Sequence, residues 1–326
     1  MVKISNISYE NEKGSSRLEF NLNGSEISTA IMNTIRRTIN TDIPIFAWTN
    51  FKFTTNTSIF HNNFIKNQIK NIPVWGIENK INFYENYNKE KTNINEEENE
   101  YLEDNIDLSV DKTVDSTSLD QITMYVDYEN KSNDYVSVTT DMVKFYYGKQ
   151  IENPYPIPIQ IVKLQPNQKI DFSVVSSIGT EKMSTIYTPV AICVSFPKEG
   201  EEDTYTMKIE SRGQISEKRI LEVAFLNIIK KLKYILDLIE ENEYSEGEIQ
   251  INNEDHTIGN LLSSGLQKHK NVQFAGYNMP HPLEKRVVIN YKLKSGKIKE
   301  ILKEVIEDFI DIFNKISKLI ESSKEF

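Results

Sequence analysis

The sequence predicts an α+β protein of two similarly planned modules, each an antiparallel sheet with a short helix and a long amphipathic one, and a β-rich domain inserted in the first. Three observations predict it. Apolar and polar residues alternate over short stretches in both halves, the pattern of strands half-buried on a core. Each half closes on a long run of apolar residues at helical spacing, a stripe that must be buried against something. The order strand, short helix, strands, long helix occurs twice, without close residue identity between the two rounds, so it is a shared plan and not a proven repeat.

In the first round Leu18, Phe20 and Leu22 alternate with polar neighbours as a strand. Ile27, Ala30, Ile31, Ile35 and Ile39 follow at helical spacing, and Pro44 stops that pattern because it cannot donate inside a helix. A strand is expected over residues 48–53. The pattern resumes with Ile170, Phe172 and Val174, then Val190, Ile192, Val194 and Phe196, then Tyr205, Met207 and Ile209. After Gly213 a long helix is predicted, capped by Ser216 with Glu217 in its first turn. Its stripe is Ile220, Leu221, Ala224, Phe225, Ile228, Leu232, Ile235, Leu236 and Ile239, and Ile229 and Leu238 widen it beyond what one sheet requires.

The second round starts after a polar stretch, residues 240–247. Ile249 and Ile251 read as a strand, and Asp255 as the cap of a helix carrying Ile258, Leu261, Leu262, Gly265 and Leu266. Val272 with Phe274, then Val287, Ile289, Tyr291 and Leu293, give two more strands. The last helix carries Ile298, Ile301, Leu302, Val305, Ile306, Phe309, Ile310, Phe313, Ile316, Leu319 and Ile320. The expected division is residues 1–55 with 164–241 for the first module, 56–163 for the insertion, and 242–326 for the second module.

Two such units can pair as an intrachain pseudo-dimer through Ile31, Ile35, Phe225, Ile228, Ile229 and Leu232 on one side and Leu261, Leu262, Phe309, Phe313 and Ile316 on the other. Burying those stripes gives an interface on the order of 2,000 Å², the obligate class. The alternative is that each long helix covers only its own sheet. The polar stretch at 240–247 reaches about 25 Å when extended, and tethering puts the halves at an effective concentration up to about millimolar. A connection too short for closure makes two chains exchange halves instead.

Composition narrows the function. The chain has 326 residues and a formal net charge of −10, with 38 basic against 48 acidic residues. Gripping nucleic acid needs clustered Lys and Arg to neutralise phosphates, so any service to nucleic-acid chemistry is indirect. No run is apolar enough to span a membrane, and the first residues lack the apolar core of an export signal. Cys193 is the only cysteine, which excludes an internal disulfide and a cysteine-based zinc site, and makes a reducing intracellular compartment the default.

The residues carrying the plan resemble a known family. LEFNLNGSEISTAIMNTIRRTINTDIPIFAWTN, from Leu18, is similar to the first strand and helix of the third-largest subunit of eukaryotic RNA polymerase II, shared with the archaeal D subunit and the bacterial alpha subunit. NTSIFHNNFIKNQIKNIPV, from Asn56, LQPNQKIDFSVVSSIGTEKMSTIYTPVA, from Leu164, and MKIESRGQISEKRILEVAFLNIIKKL, from Met207, resemble later parts of the same subunit. EDHTIGNLLSSGL, from Glu254, and NVQFAGYNMPHPLEKRVVINYK, from Asn271, instead resemble the eleventh subunit and the archaeal L subunit, with Ile258 where Leu is usual. The resemblance covers most of the chain outside roughly residues 77–163. One chain holding both resembles the fused arrangement of some large DNA viruses, which would place it in host cytoplasm and virion.

What the resemblance implies is an alpha-like assembly platform without catalytic residues, whose partners are the two largest polymerase subunits and small assembly subunits, with DNA and RNA met only through the complex. It implies that Arg36 and Arg37, with Asn33 beside them, contact the second-largest subunit or support that surface. Guanidinium forks suit carboxylates and carbonyls at interfaces, although a solvated helix face is the bland reading of such a pair. His256, Gly259, Asn260, Gly276, Tyr277, Pro280, His281 and Pro282 are motif residues with expected structural roles. His256 and Asn260 stand at a helix start with orphan backbone groups, and the glycines permit close backbone approach.

No cofactor or metal is expected. The four histidines, His61, His256, His269 and His281, are scattered, whereas zinc needs converging ligands. Relatives often carry Cys-rich metal sites in the middle segment, and this chain has no Cys there. Residues 85–112 read as an acidic loop in which Glu96, Glu97 and Glu98 do not converge on a metal. Strand-like residues 122–126 and 135–138 suggest the inserted β-rich domain.

Overall fold

A computed structural model describes residues 2–12, 15–75, 121–201, 203–238, 244–281 and 283–323. The acidic stretch near 85–112 and Pro282 lie outside the described residues.

The chain opens on a strand that the sequence pattern conceals. β1 (Lys3–Glu12) pairs antiparallel with β2 (Ser15–Asn23), but its register shifts between Ser5 and Ser8 and Asn6 takes a φ of 51°. That bulge breaks the alternation of Ile4 and Ile7 on which a reading of period two depends. α1 (Thr29–Thr41) follows, its N-cap Ser28 accepting from the Ile31 N–H, and it ends at Asp42, two residues before Pro44. β3 (Ile45–Asn56) then leads to α2 (Asn62–Lys70), where His61 serves as the cap, its Nδ1 accepting from the Asn63 N–H.

β4 (Thr123–Glu129), β5 (Val136–Thr139), β6 (Lys144–Tyr147), β7 (Lys149–Ile151) and β8 (Gln160–Leu164) belong to the expected insertion. β9 (Lys169–Gly179), β10 (Val190–Pro197) and β11 (Thr204–Ser211) return the chain to the first module. β1-β2-β11-β10 form one sheet, β3-β9-β4-β6-β7 a second, and β5 with β8 a two-stranded ribbon. The five-stranded sheet therefore takes β3 and β9 from either side of the insertion and β4, β6 and β7 from within it.

α3 (Glu217–Leu238) starts where Ser216 accepts from the Ile220 and Arg219 N–H groups. Glu217 is buried at this helix N-terminus, where the dipole favours a carboxylate. One of its oxygens accepts from Ser16 Oγ at 2.5 Å and the Ser211 N–H at 3.0 Å, tying the helix start to β2 and β11. The second round gives β12 (Glu246–Asn252), α4 (His256–Lys268), β13 (Val272–Asn278), β14 (Arg286–Leu293) and α5 (Ile298–Ser322), with a sheet in the order β12-β14-β13. Every strand pairing among the described residues is antiparallel.

The helices meet in two kinds of contact. Within each half the short helix packs on the long one, α1 on α3 and α4 on α5. Between the halves, long packs on long and short on short: α3 against α5 and α1 against α4. The stripes so buried join the sheets in one apolar core running through both halves.

Candidate functional site

The surface that distinguishes this fold is the seam where the two halves touch. Its middle is apolar. Ile31 and Ile35 of α1, Phe225, Ile228 and Leu232 of α3, Leu261 and Leu262 of α4, and Phe309, Phe313 and Ile316 of α5 are all buried in the shared core, with Ile229 partly buried against it. The Phe225 and Phe313 rings approach across the seam with centroids 6.2 Å apart. Close approach is built into α4 as well. A Cβ on Gly259 would stand 2.6 Å from the Tyr277 ring and 2.8 Å from Val287, and one on Gly265 would stand 2.5 Å from Val305. Both lie far inside van der Waals contact, so glycine lets α4 sit down on β13, β14 and α5.

One end of the seam is charged. Asp42 terminates α1, where the helix dipole disfavours an anion, and two lysines compensate it. Lys231 Nζ of α3 lies 2.6 Å from one Asp42 oxygen, and Lys182 Nζ, from the loop after β9, 2.8 Å from the other. The same lysines face the start of α4, Lys231 at 3.5 Å from Glu254 and Lys182 at 3.8 Å from Asp255. Arg37 completes the set, its Nε donating to Thr257 Oγ at 2.8 Å and its Nη2 standing 3.7 Å from Asp255. Asn227 Nδ2 donates to the Asp42 carbonyl at 2.9 Å.

These charges are held in partly dry surroundings. Burial alone would raise the Asp42 carboxyl, but Lys231 and Lys182 outweigh it and hold it down at about 2. Burial likewise opposes the Lys231 charge, and Asp42 and Glu254 outweigh it, so its pKa is raised. At Glu254 burial prevails over Lys231 and Lys182, and the carboxyl is raised. At Asp255 burial is overcome by hydrogen bonds from Thr257 and by Lys182 and Arg37, and the carboxyl is lowered.

The arginine pair divides. Arg37 points into the seam, while Arg36 keeps a long 3.5 Å hydrogen bond to Asn33 of its own helix. Both arginines line a hollow of about 280 Å³ with Asn40, Thr41, Glu181 and Thr188. Beneath them the Cys193 thiol lies 3.9 Å from the Arg36 carbonyl, and burial pushes it up to about 12 despite the guanidinium.

The described motif residues of the second half pack and hydrogen-bond within that half. Asp255, not His256, caps α4 by accepting from the Thr257 N–H at 2.7 Å. His256 meets Tyr277 edge-on, with Nδ1 3.4 Å from the hydroxyl. Asn260 lies in the second turn, where its carbonyl accepts from Ser263 Oγ. Gly276 passes beneath the Phe274 ring, and Pro280 leads into a turn closed by His281, whose Nδ1 accepts from the Leu283 N–H. Among the described residues no group of three or more His, Cys, Asp or Glu could hold a metal ion, and no helix is long and apolar enough to cross a membrane.

Sequence reading missed the charged end, except for Arg37 and the cap Asp255. Two signals were available: an acid, Asp42, just after a helix C-terminus, and a lysine, Lys231, interrupting the apolar stripe of α3 between Ile228 and Leu232. Neither identifies its partner, because Lys182, Lys231 and Glu254 converge from separate parts of the chain.

Known proteins resemble this chain on both sides of the seam. The family model of the RNA polymerase Rpb3/Rpb11 dimerisation domain matches residues 246–319. A protein of Acanthamoeba polyphaga mimivirus described as a DNA-directed RNA polymerase subunit is 26% identical over 93% of this chain and 90% of its own length. The subunit Rpo11 of the Metallosphaera sedula RNA polymerase is 42% identical over 22% of this chain and 79% of its own length. A Caenorhabditis briggsae protein described as subunit RPAC2 of RNA polymerases I and III is 36% identical over 31% of this chain and 71% of its own. The short relatives correspond to part of the chain and the viral one to nearly all of it. The chain belongs to the alpha-like assembly subunits of multisubunit RNA polymerases, with an Rpb3-like and an Rpb11-like part fused in one polypeptide.

Proposed function

We propose that the two halves act as an intrachain pseudo-dimer, the fused counterpart of a heterodimer, on which the two largest subunits of a DNA-directed RNA polymerase dock. The observation that carries this reading is the seam itself. Long helix meets long helix and short meets short, the self-paired contacts that a two-fold relation between modules requires. Aligning the helices at their first residues supports it further. With Thr29 opposite His256, buried Ile31, Ile35 and Ile39 fall on buried Ile258, Leu262 and Leu266. With Glu217 opposite Ile298, buried Leu221, Phe225, Ile228 and Leu232 fall on buried Leu302, Ile306, Phe309 and Phe313.

In this reading residues 1–55 with 164–241 and residues 242–326 are the paired modules, and residues 56–163 are the insertion. The chain contributes no catalytic group, and DNA and RNA reach it only through the complex. The near full-length viral match supports a viral polymerase acting in host cytoplasm. Arg36 and Asn33, half-buried on α1, are the docking residues for a large subunit, and Arg37 supports them from the seam. A large subunit placing a carboxylate or carbonyl over Arg36 gives its guanidinium a stronger partner than the long hydrogen bond to Asn33.

Arg36→Glu is the clean test of docking. It should reduce capture of the large subunits by the tagged chain at least about tenfold, as expected for a lost charged interface contact, without shifting the chain's own melting temperature. Undiminished capture would remove Arg36 from the docking surface.

A further inference from the structure

The charged end of the seam has no counterpart at the other end. In the same helix alignment, Lys231 corresponds to Ile312, Arg37 to Ser264, and Asp42 to His269. Glu254 and Asp255 correspond to Ile27 and the N-cap Ser28, and Thr257 to Ala30. Ile27 and Ile312 both belong to or pack against the shared core. His269 pairs within its own half, with Glu304 at 3.1 Å. Among the described residues, the ion pair that joins the two halves near this second end is Lys315 with Glu26, at 3.5 Å on the rim.

From this asymmetry we infer that Arg37, Lys182 and Lys231 with Glu254 and Asp255 form a pairing code, which admits the second half of this chain as partner of the first and rejects pairing of like halves. The inference rests on the pseudo-dimer reading and adds to it the residues that choose the partner.

Charge balance makes the choice. In the observed pairing, three cations of the first half face Asp42 of their own half and Glu254 and Asp255 of the other, so the cluster is neutral. Pairing two first halves would replace Glu254 and Asp255 by Ile27 and Ser28. Asp42 would then be the one acid left for three cations, at both ends of the seam. Pairing two second halves would set Glu254 and Asp255 against Ser264 and Ile312, leaving two acids uncompensated at each end. Unpaired charge in a partly buried seam is strongly disfavoured, and a clash built against the wrong partner is how pairing becomes specific. The apolar stripes cannot supply that choice, because their buried positions coincide between halves.

Glu254→Ile with Asp255→Ser tests this in the full chain, since it starts α4 as α1 starts while keeping an N-cap. The wild-type chain should remain monomeric in native mass spectrometry at micromolar concentration. The altered chain should associate with differently tagged copies of itself. Because that variant can also fail to fold, a milder cycle of Lys231→Met and Glu254→Gln is read by urea unfolding. The two substitutions should couple by about fivefold or more in the unfolding equilibrium constant. A smaller coupling overturns the code, as does a folded Ile-Ser chain no more associated than wild type. Phe313→Ala separates the two layers of the argument. If it leaves urea stability unchanged, the pseudo-dimer reading fails, whereas a destabilised Phe313→Ala chain with an uncoupled cycle removes the code alone.

Discussion

Single residues carry the close approaches and the charges. Gly259 sits where a methyl group would stand 2.6 Å from the Tyr277 ring. Gly259→Ala should therefore lower stability by about 1–3 kcal/mol, the cost of overpacking, even though alanine is the better helix former. Urea unfolding measures this, and a neutral or stabilising effect would show that α4 can lift off its sheet freely. Asp42 adds a pH dependence of definite sign. Its folded pKa, about 2, lies below the ordinary value of 3.8. Its stabilisation is present above the ordinary value and is lost as pH falls from about 4 towards 2. Glu254 runs the other way, since its raised carboxyl is protonated more readily in the folded chain. Acid unfolding monitored by circular dichroism should be flatter between pH 4 and pH 2 for Asp42→Asn than for wild type. Cys193 was legible as the only cysteine but not as inert. Its thiol is buried and raised to about 12, so it should resist alkylation at pH 8 until the chain is unfolded.

At the scale of elements, helices were easier to read than strands. Among the described residues each helical stripe survives in the fold, with Ile239 of the α3 stripe lying outside them, because a stripe of many residues averages over local exceptions, as α5 does from Ile298 to Ile320. β1 was not legible, since the bulge at Asn6 shifts the phase after only a few residues. β3, β4 and β9 were legible as separate strands, but not as one sheet, because the pairings of β9 with β3 and β4 join residues far apart in sequence. The charged end of the seam was hidden for the same reason. Motif resemblance marked Gly259 and Tyr277 without saying that one leaves room for the other; the packing supplies that reason. Phe313, fully buried where α5 meets α3, is the element-scale test of the seam. Phe313→Ala should cost about 3–5 kcal/mol, the range for deleting a buried aromatic ring. A loss below about 1 kcal/mol would mean that the long helices do not depend on each other.

At the scale of the molecule, the fold is a single core shared by two halves that each carry a sheet, a short helix and a long one. The proposed two-fold relation between the halves would account for which helices touch, and the inferred pairing code for why the halves would not be interchangeable. Such a fused unit would present a different flank on each side of its seam, as the proposed platform for two different large subunits requires. Fusion keeps the flanks in fixed proportion, one of each per chain, at the effective concentration that a short connection provides. The central claim is that this platform nucleates a polymerase. Affinity purification of the tagged chain from its native source, followed by mass identification of partners and a template-directed RNA synthesis assay, tests it most directly. Two very large subunits should co-purify with RNA-synthesising activity; recovery of the chain alone, or only with copies of itself, would overturn the platform reading.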